Sequence, residues 1–173
     1  MNNRLKLLKW IKPPEGVFKL NIDGACNKMS KQTSGRSLIR NHHGSFLFGV
    51  CNSYGHHSVT YAELRALMDG LDLCCRKNIK PVEIETDCKE LYDMVTDVAK
   101  TPGFFRSARL HILLQMSSCN ASLNHVFREQ NRAANYIASM RSQLVQLPRT
   151  LSLASAISTK GHHPTRNERF RLH

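Results

Sequence analysis

At 173 residues the chain is long enough for one compact domain with its own core and too short for two full ones, so a single site is expected. A hydrophobic share of 41% and a charged share of 22% exclude collagen-like or wholly disordered character. Lys and Arg number 25 against 13 Asp and Glu, a formal charge of +12, which favours polyanionic partners. Nucleic acid comes first among these, although charge alone does not separate it from an anionic membrane surface.

The first residues are basic and carry Leu5, Leu7 and Leu8, but no apolar stretch long enough for a signal peptide or a membrane span. Residues 1–12 are therefore read as a basic N-terminal segment, with no membrane partner. Pro13, Pro14 and Gly16 mark the start of a strand, Val17 to Ala25, in which Phe18, Leu20 and Ile22 alternate with Lys19, Asn21 and Asp23. Short runs at Ser37–Arg40 and Ser45–Val50 flank Asn41-His42-His43-Gly44, a turn-forming cluster that predicts a hairpin. From Thr60 the period changes. Leu64, Leu67, Met68, Leu71 and Cys75 recur at helical spacing, and this helix is expected to end near Asn78 and Pro81.

Val82–Thr86 alternates again as a fourth strand. Leu91, Met94, Val95 and Val98 mark a second helix, broken by Thr101-Pro102-Gly103, and Arg106–Ser118 reads as a third. Ala121–Arg128 is read as a fifth strand and Asn131–Leu144 as a closing helix. A three-strand meander followed by alternating strands and helices implies an α/β domain over residues 13–145. Its expected form is a five-stranded mixed sheet, an antiparallel meander joined to parallel strands, flanked by helices in three layers. Residues 146–173 lose periodicity and become basic and rich in His and Arg, the composition of a disordered tail.

The six cysteines, Cys26, Cys51, Cys74, Cys75, Cys88 and Cys119, include no C-x-x-C pair. That argues against a zinc site or disulfide framework and for reduced, mostly buried thiols in an intracellular compartment, nuclear or cytoplasmic. The histidine pairs His42-His43, His56-His57 and His162-His163 lack matching acids or cysteines and are read as loop residues.

Three acids stand out, each with an ordinary explanation when taken alone. Asp23-Gly24 is a strong turn dipeptide. Glu63 stands three residues after Thr60 and Asp87 three before Glu90, so both pairs fit a helix capping box. Together, two of the acids end separate strands and the third lies in the first turn of the intervening helix, positions that can converge at one sheet edge. That edge is where open α/β sheets bind ligands, and clustered carboxylates repel unless a cation is present. Oxygen ligands without Cys or His select magnesium or manganese, and a pair of such ions suits phosphodiester displacement.

Four segments then follow in order between Trp10 and Leu144: Trp10-Ile-Lys-Pro-Pro-Glu-Gly-Val-Phe-Lys-Leu-Asn-Ile-Asp23-Gly-Ala, Tyr61-Ala-Glu63-Leu-Arg-Ala-Leu, Glu83-Ile-Glu-Thr-Asp87-Cys-Lys-Glu-Leu, and His125-Val-Phe-Arg128-Glu129-Gln-Asn131-Arg-Ala-Ala-Asn135-Tyr-Ile-Ala138. This series resembles the plant ribonuclease H-like domains of the type 1 ribonuclease H family, relatives of non-LTR retroelement reverse transcriptases. The resemblance implies a ribonuclease H-like fold and a monomer that hydrolyses the RNA strand of RNA–DNA hybrids. It also implies that Asp23, Glu63 and Asp87 hold two Mg2+ or Mn2+ ions with Asp23 bridging, and that His125 is the family's mobile histidine, serving proton transfer and product departure.

Two departures bear on activity. Asn135 stands where the family has its fourth acid, offering a metal-contacting oxygen without charge, so catalysis is expected to be weakened. Arg36 and Ser37 replace a glycine pair before the second strand, and Asn41 replaces a common aspartate in the turn that follows. Lys28, Lys31, Arg36, Lys89 and Arg128 are candidate phosphate contacts and equally well solvated surface charges. Two alternatives stay open: a catalytically impaired nucleic-acid-binding module of the same fold, and a protein-interaction domain in which the acids are only caps and turns.

Overall fold

The computed structural model describes residues 10–131. In chain order the elements are β1 (Phe18–Cys26), β2 (Thr33–Arg40), β3 (Phe46–Gly55), α1 (Val59–Arg76), β4 (Val82–Thr86), α2 (Lys89–Thr96), α3 (Arg106–Ser118) and β5 (Ala121–His125). They build one five-stranded sheet in the order β3-β2-β1-β4-β5. β1, β2 and β3 pair antiparallel, while β4 runs parallel to both β1 and β5. The expected mixed α/β sheet is the one found, and no helix among the described residues is long and apolar enough to cross a membrane.

Alternation in β1 places Leu20 and Ile22 on the face that receives the helices. There they join Ile39, Ile84 and Leu123 from neighbouring strands and Leu67, Leu71, Leu91, Met94 and Ile112 from α1, α2 and α3 in one core cluster. Burying each such aliphatic side chain contributes about 1.5–3 kcal/mol. Leu67 is fully buried in this cluster. Leu67→Ala is expected to lower unfolding free energy by about 2–5 kcal/mol with an unchanged denaturant slope, as read from urea melts.

Helix ends are set locally. Ser58 caps α1 by accepting a hydrogen bond from the Tyr61 amide. At the other end Asn78 takes φ +52, and the Ile79 and Asn78 amides donate to the carbonyls of Cys74 and Cys75, a Schellman closure. In the β2–β3 hairpin, Asn41 Oδ1 accepts from the His43 and Ser45 amides and Gly44 supplies φ +81, so His42 and His43 are turn residues as expected.

Several boundaries differ from those expected. β2 begins at Thr33 rather than Ser37, and β3 runs to Gly55 rather than Val50. The added residues are small or polar and pair through their backbones, leaving no hydrophobic alternation to read. β5 stops at His125 rather than Arg128 because a helical turn starts at 128–131. Gln130 there reaches back to the Phe127 amide while the Phe127 carbonyl accepts from the Gln130 and Asn131 amides. The rest of the expected closing helix, and the expected tail, lie outside the described residues. Val98 is not on the core face of α2. It is exposed in a 3-10 turn after the helix has ended.

All six cysteines are free, but only Cys74 and Cys119 are buried; Cys75 is exposed and the other three half-buried. The expectation of mostly buried thiols is corrected: Cys26 ends β1, Cys88 caps α2, Cys75 lies near the end of α1, and Cys51 lies within β3 half-buried. Burial pushes the Cys119 thiol up to about 12, and it lies 3.2 Å from the Cys75 sulfur.

Candidate active site

Parallel pairing of β1 with β4 runs in register through Asn21↔Glu85. Two residues further on stand Asp23, within β1, and Asp87, just past the end of β4, at the carboxyl edge of the parallel pair. Glu63 comes from the opposite direction, out of the second turn of α1. The three side chains offer oxygens that all lie within 4.8 Å of one another.

What lets a helix approach the strand so closely is Gly24. A β-carbon there would lie 2.6 Å from the Glu63 backbone nitrogen and 2.8 Å from its Cγ. Gly24 pairs across the ladder with Gly35, where a β-carbon would meet Ala66 Cβ at 2.8 Å. The Asp-Gly dipeptide is therefore not a turn. It sits within β1, and its glycine removes the bulk that would hold α1 off the sheet. Gly24→Ala is expected to push the start of α1 outward, moving Glu63 away from Asp23 and Asp87. Calorimetric titration of the folded variant should then show weakened divalent-cation binding alongside a lowered melting temperature.

The capping-box readings also fail, which frees two acids for other work. Ser58, not Thr60, caps α1, so Glu63 lies beyond the first turn. Cys88 caps α2 through its sulfur, leaving Asp87 outside the helix. Glu90 instead accepts a hydrogen bond from Thr60 Oγ1 at 2.5 Å, tying the first turn of α2 to that of α1 beside the acids.

Glu63 is only 3% exposed, and its Oε2 is buried with no hydrogen-bond partner among the described residues. Burial pushes its carboxyl up to about 8; the Gly24 backbone hydrogen bond opposes this, repulsion from Asp87 and Asp23 adds to it, and Arg128 draws it down. A buried carboxylate oxygen without a partner among the described residues, clustered with the oxygens of two further acids, fits a hard divalent cation.

The remaining candidates fall around this cluster. His125 is exposed at the end of β5, registered opposite Thr86, one residue before Asp87. Its ring lies 6.1 Å from that of Tyr92. His125 thus shares the sheet edge with the acids without joining their cluster. Asn135 lies outside the described residues. Arg36 is exposed and registered opposite Asp23, and Arg128 Nε lies 3.9 Å from Asp87 Oδ2. Lys28 and Lys31 occupy the β1–β2 connection, and Lys89 is engaged with Asp93 on the surface of α2.

Ser37 leaves the hairpin undisturbed: the β1–β2 ladder is continuous from Lys19↔Arg40 to Cys26↔Thr33, and Ser37 Oγ donates to the Ala66 carbonyl. Asn131 is a site residue that sequence reasoning missed. It is buried and donates from Nδ2 to the Ile22 carbonyl at 2.7 Å and to Asp87 Oδ1 at 3.3 Å. Only its place inside the His125–Ala138 segment pointed to it.

Residues 21–141 match the family described as reverse transcriptase-like. The chain belongs to that family. It is 28% identical over 142 residues to an Arabidopsis thaliana protein named for ribonuclease H. The match covers 78% of this chain but only 22% of the Arabidopsis protein. Among solved structures it resembles ribonuclease H1 of Halobacterium salinarum, with a TM-score of 0.62, 18% identity, and coverage of 71% of this chain and 95% of that one. It also resembles the N-terminal ribonuclease H domain of a Mycobacterium tuberculosis protein, with a TM-score of 0.60, 16% identity, and coverage of 72% and 91%. A third is LC11 ribonuclease H1 in complex with an RNA/DNA hybrid, with a TM-score of 0.59, 20% identity, and coverage of 69% and 91%. The fold of this reverse transcriptase-like domain is that of ribonuclease H.

Proposed function

We propose that this domain hydrolyses the RNA strand of RNA–DNA hybrids with the aid of Mg2+ or Mn2+, at a rate reduced by Asn135. The observation that carries this is the cluster of Asp23, Glu63 and Asp87 around an unpartnered Glu63 oxygen. Support comes from the family, from the name of the Arabidopsis relative, and from the hybrid held by LC11 ribonuclease H1.

Asp23, Glu63 and Asp87 would hold the cations, with Asn135 contributing an uncharged oxygen. When bound, divalent cations supply a nucleophile at neutral pH and charge stabilisation at the displaced phosphodiester. Everything else falls to the chain. Arg36 and Arg128 flank the acids and would hold backbone phosphates, fixing the duplex without reading its sequence. Discrimination for RNA would rest on duplex shape and 2′-hydroxyl contacts. His125, exposed at the same edge, would pass a proton to the departing ribose oxygen and let the product leave. Asn135 costs the site one negative charge, and an amide oxygen replaces only part of that contribution.

A labelled RNA–DNA hybrid incubated with Mg2+, with Mn2+ and with chelator tests this reading. Metal-dependent cutting confined to the RNA strand, faster in Asn135→Asp, is the expected result. A folded protein that binds the hybrid yet never cuts it, and gains nothing from Asn135→Asp, would overturn the enzymatic reading and leave a nucleic-acid-binding module of the same fold.

A further inference from the structure

Behind the acids, on the sheet face turned away from α1, β1, β2 and β4 bury charged groups that the proposed chemistry does not use. Lys19 is 3% exposed and Arg40 1%, with Asn21 and Glu85 buried beside them. The Trp10 ring lies 4.9 Å from the Arg40 guanidinium and 5.7 Å from Lys19 Nζ. Buried ion pairs seldom exceed well-packed apolar residues in stability, so stability alone is a poor account of this arrangement.

Its wiring has a direction. Lys19 Nζ donates to Glu85 Oε1 at 2.6 Å and to the Ile11 carbonyl at 2.8 Å. Arg40 Nη1 donates to Asn21 Oδ1 at 2.8 Å. With its oxygen taken, Asn21 turns its Nδ2 to Glu85 Oε2 at 2.8 Å and to Asn131 Oδ1 at 3.4 Å. Asn131 must then present its own Nδ2 to the Ile22 carbonyl and to Asp87 Oδ1. A guanidinium only donates and a carboxylate only accepts. Neither amide can rotate by half a turn without setting donor against donor or acceptor against acceptor.

We infer that Asn21 and Asn131 are positioning residues. The Lys19–Glu85–Arg40 charges fix the orientation of Asn21, Asn21 fixes Asn131, and Asn131 holds the Asp87 carboxylate and the Ile22 backbone, one residue before Asp23, in the arrangement that receives a divalent cation. This rests on the metal-binding reading above. It adds that part of the cation affinity is set by uncharged groups that never touch the ion.

The test is calorimetric titration of Mg2+ and Mn2+ into the full chain, unmodified and as Asn131→Ala, Asn21→Ala and the double variant, with Asp23→Asn as the ligand-loss control. Each single variant is expected to lower affinity about 10-fold, the low end for partners that orient metal ligands. Because the two act in series, the double variant should bind no more weakly than the worse single one. With the hybrid as substrate, cleavage should fall at low Mg2+ and recover as Mg2+ is raised, a rescue that loss of folded protein would not produce. Unchanged affinity in folded Asn131→Ala, or fully additive losses, would overturn the positioning role alone. No cation binding by the folded unmodified chain would overturn the metal reading and this inference with it. Should a variant not fold, the unmodified protein still decides. The Asn131 side-chain amide resonances should shift on Mg2+ addition, and resonances that stay in place overturn the inference.

Discussion

Asp87→Asn is expected to abolish metal-dependent cutting of the hybrid while leaving the fold intact. The substitution exchanges one oxygen for a nitrogen in a half-buried side chain, and the remaining oxygen can still accept from Asn131 Nδ2. Strand pairing and the core lie on the other side of Thr86 and are untouched. What disappears is one of three carboxyl groups whose oxygens lie within 4.8 Å of one another, and with it the strongest reason for a divalent cation to enter. A loss on the order of 10³-fold or more in kcat is expected, at the upper end of what removing one preorganised electrostatic contact costs. Repulsion falls as well, so the metal-free variant should melt no lower than the parent. Asp93→Asn serves as the control. That acid is paired with Lys89 and Lys100 on the surface of α2, and its removal should leave cleavage unchanged. Activity within tenfold of the parent in folded Asp87→Asn would remove Asp87 from the site.

How much of this could be read in advance depends on which signal each residue carries. Apolar periodicity placed β1, β4 and α1 within a residue or two because Leu20, Ile22, Ile84, Leu67 and Leu71 are spaced by the faces they bury. The extensions of β2 and β3 were hidden because Gly35 and its neighbours are held by backbone pairing and a close helix, neither of which leaves an apolar pattern. Alternation in β1 correctly assigned Lys19 and Asn21 to the face opposite Leu20. It could not reveal that this face is also buried, since a period of two reports sidedness and not exposure. The three acids were legible only as a set, because the dipeptide and spacing rules that explained each one away concern turns and caps. The caps proved to be made by Ser58 and Cys88, and Asp23-Gly24 to lie inside β1. Asn131 depends on a pairing between residues more than a hundred positions apart, which no local pattern encodes.

Glu63→Gln is expected to stabilise the metal-free protein in alkaline solution and to reverse that advantage when Mg2+ is added. Burial raises the Glu63 carboxyl from 4.5 to about 8 in the folded chain, so between those values the folded state holds a proton that the unfolded state has released. Stability of the metal-free parent must therefore fall as pH rises through this window and level off above it. Every tenfold gain in proton affinity on folding corresponds to about 1.4 kcal/mol, which puts the whole decline at several kcal/mol, an upper figure if water enters the opened site. Glutamine has nothing to titrate, so the variant's melting temperature should lack this decline over the same range and exceed the parent's most clearly near pH 9. A cation changes the sign of the comparison. A bound cation would neutralise the ionised Glu63 carboxylate in the proton's place, so Mg2+ should raise the parent's melting temperature increasingly toward alkaline pH and leave Glu63→Gln nearly unmoved. Thermal melts at several pH values, with and without Mg2+, read both effects. Parallel pH profiles for parent and variant would mean that Glu63 is not the buried acid that the cation is needed to neutralise.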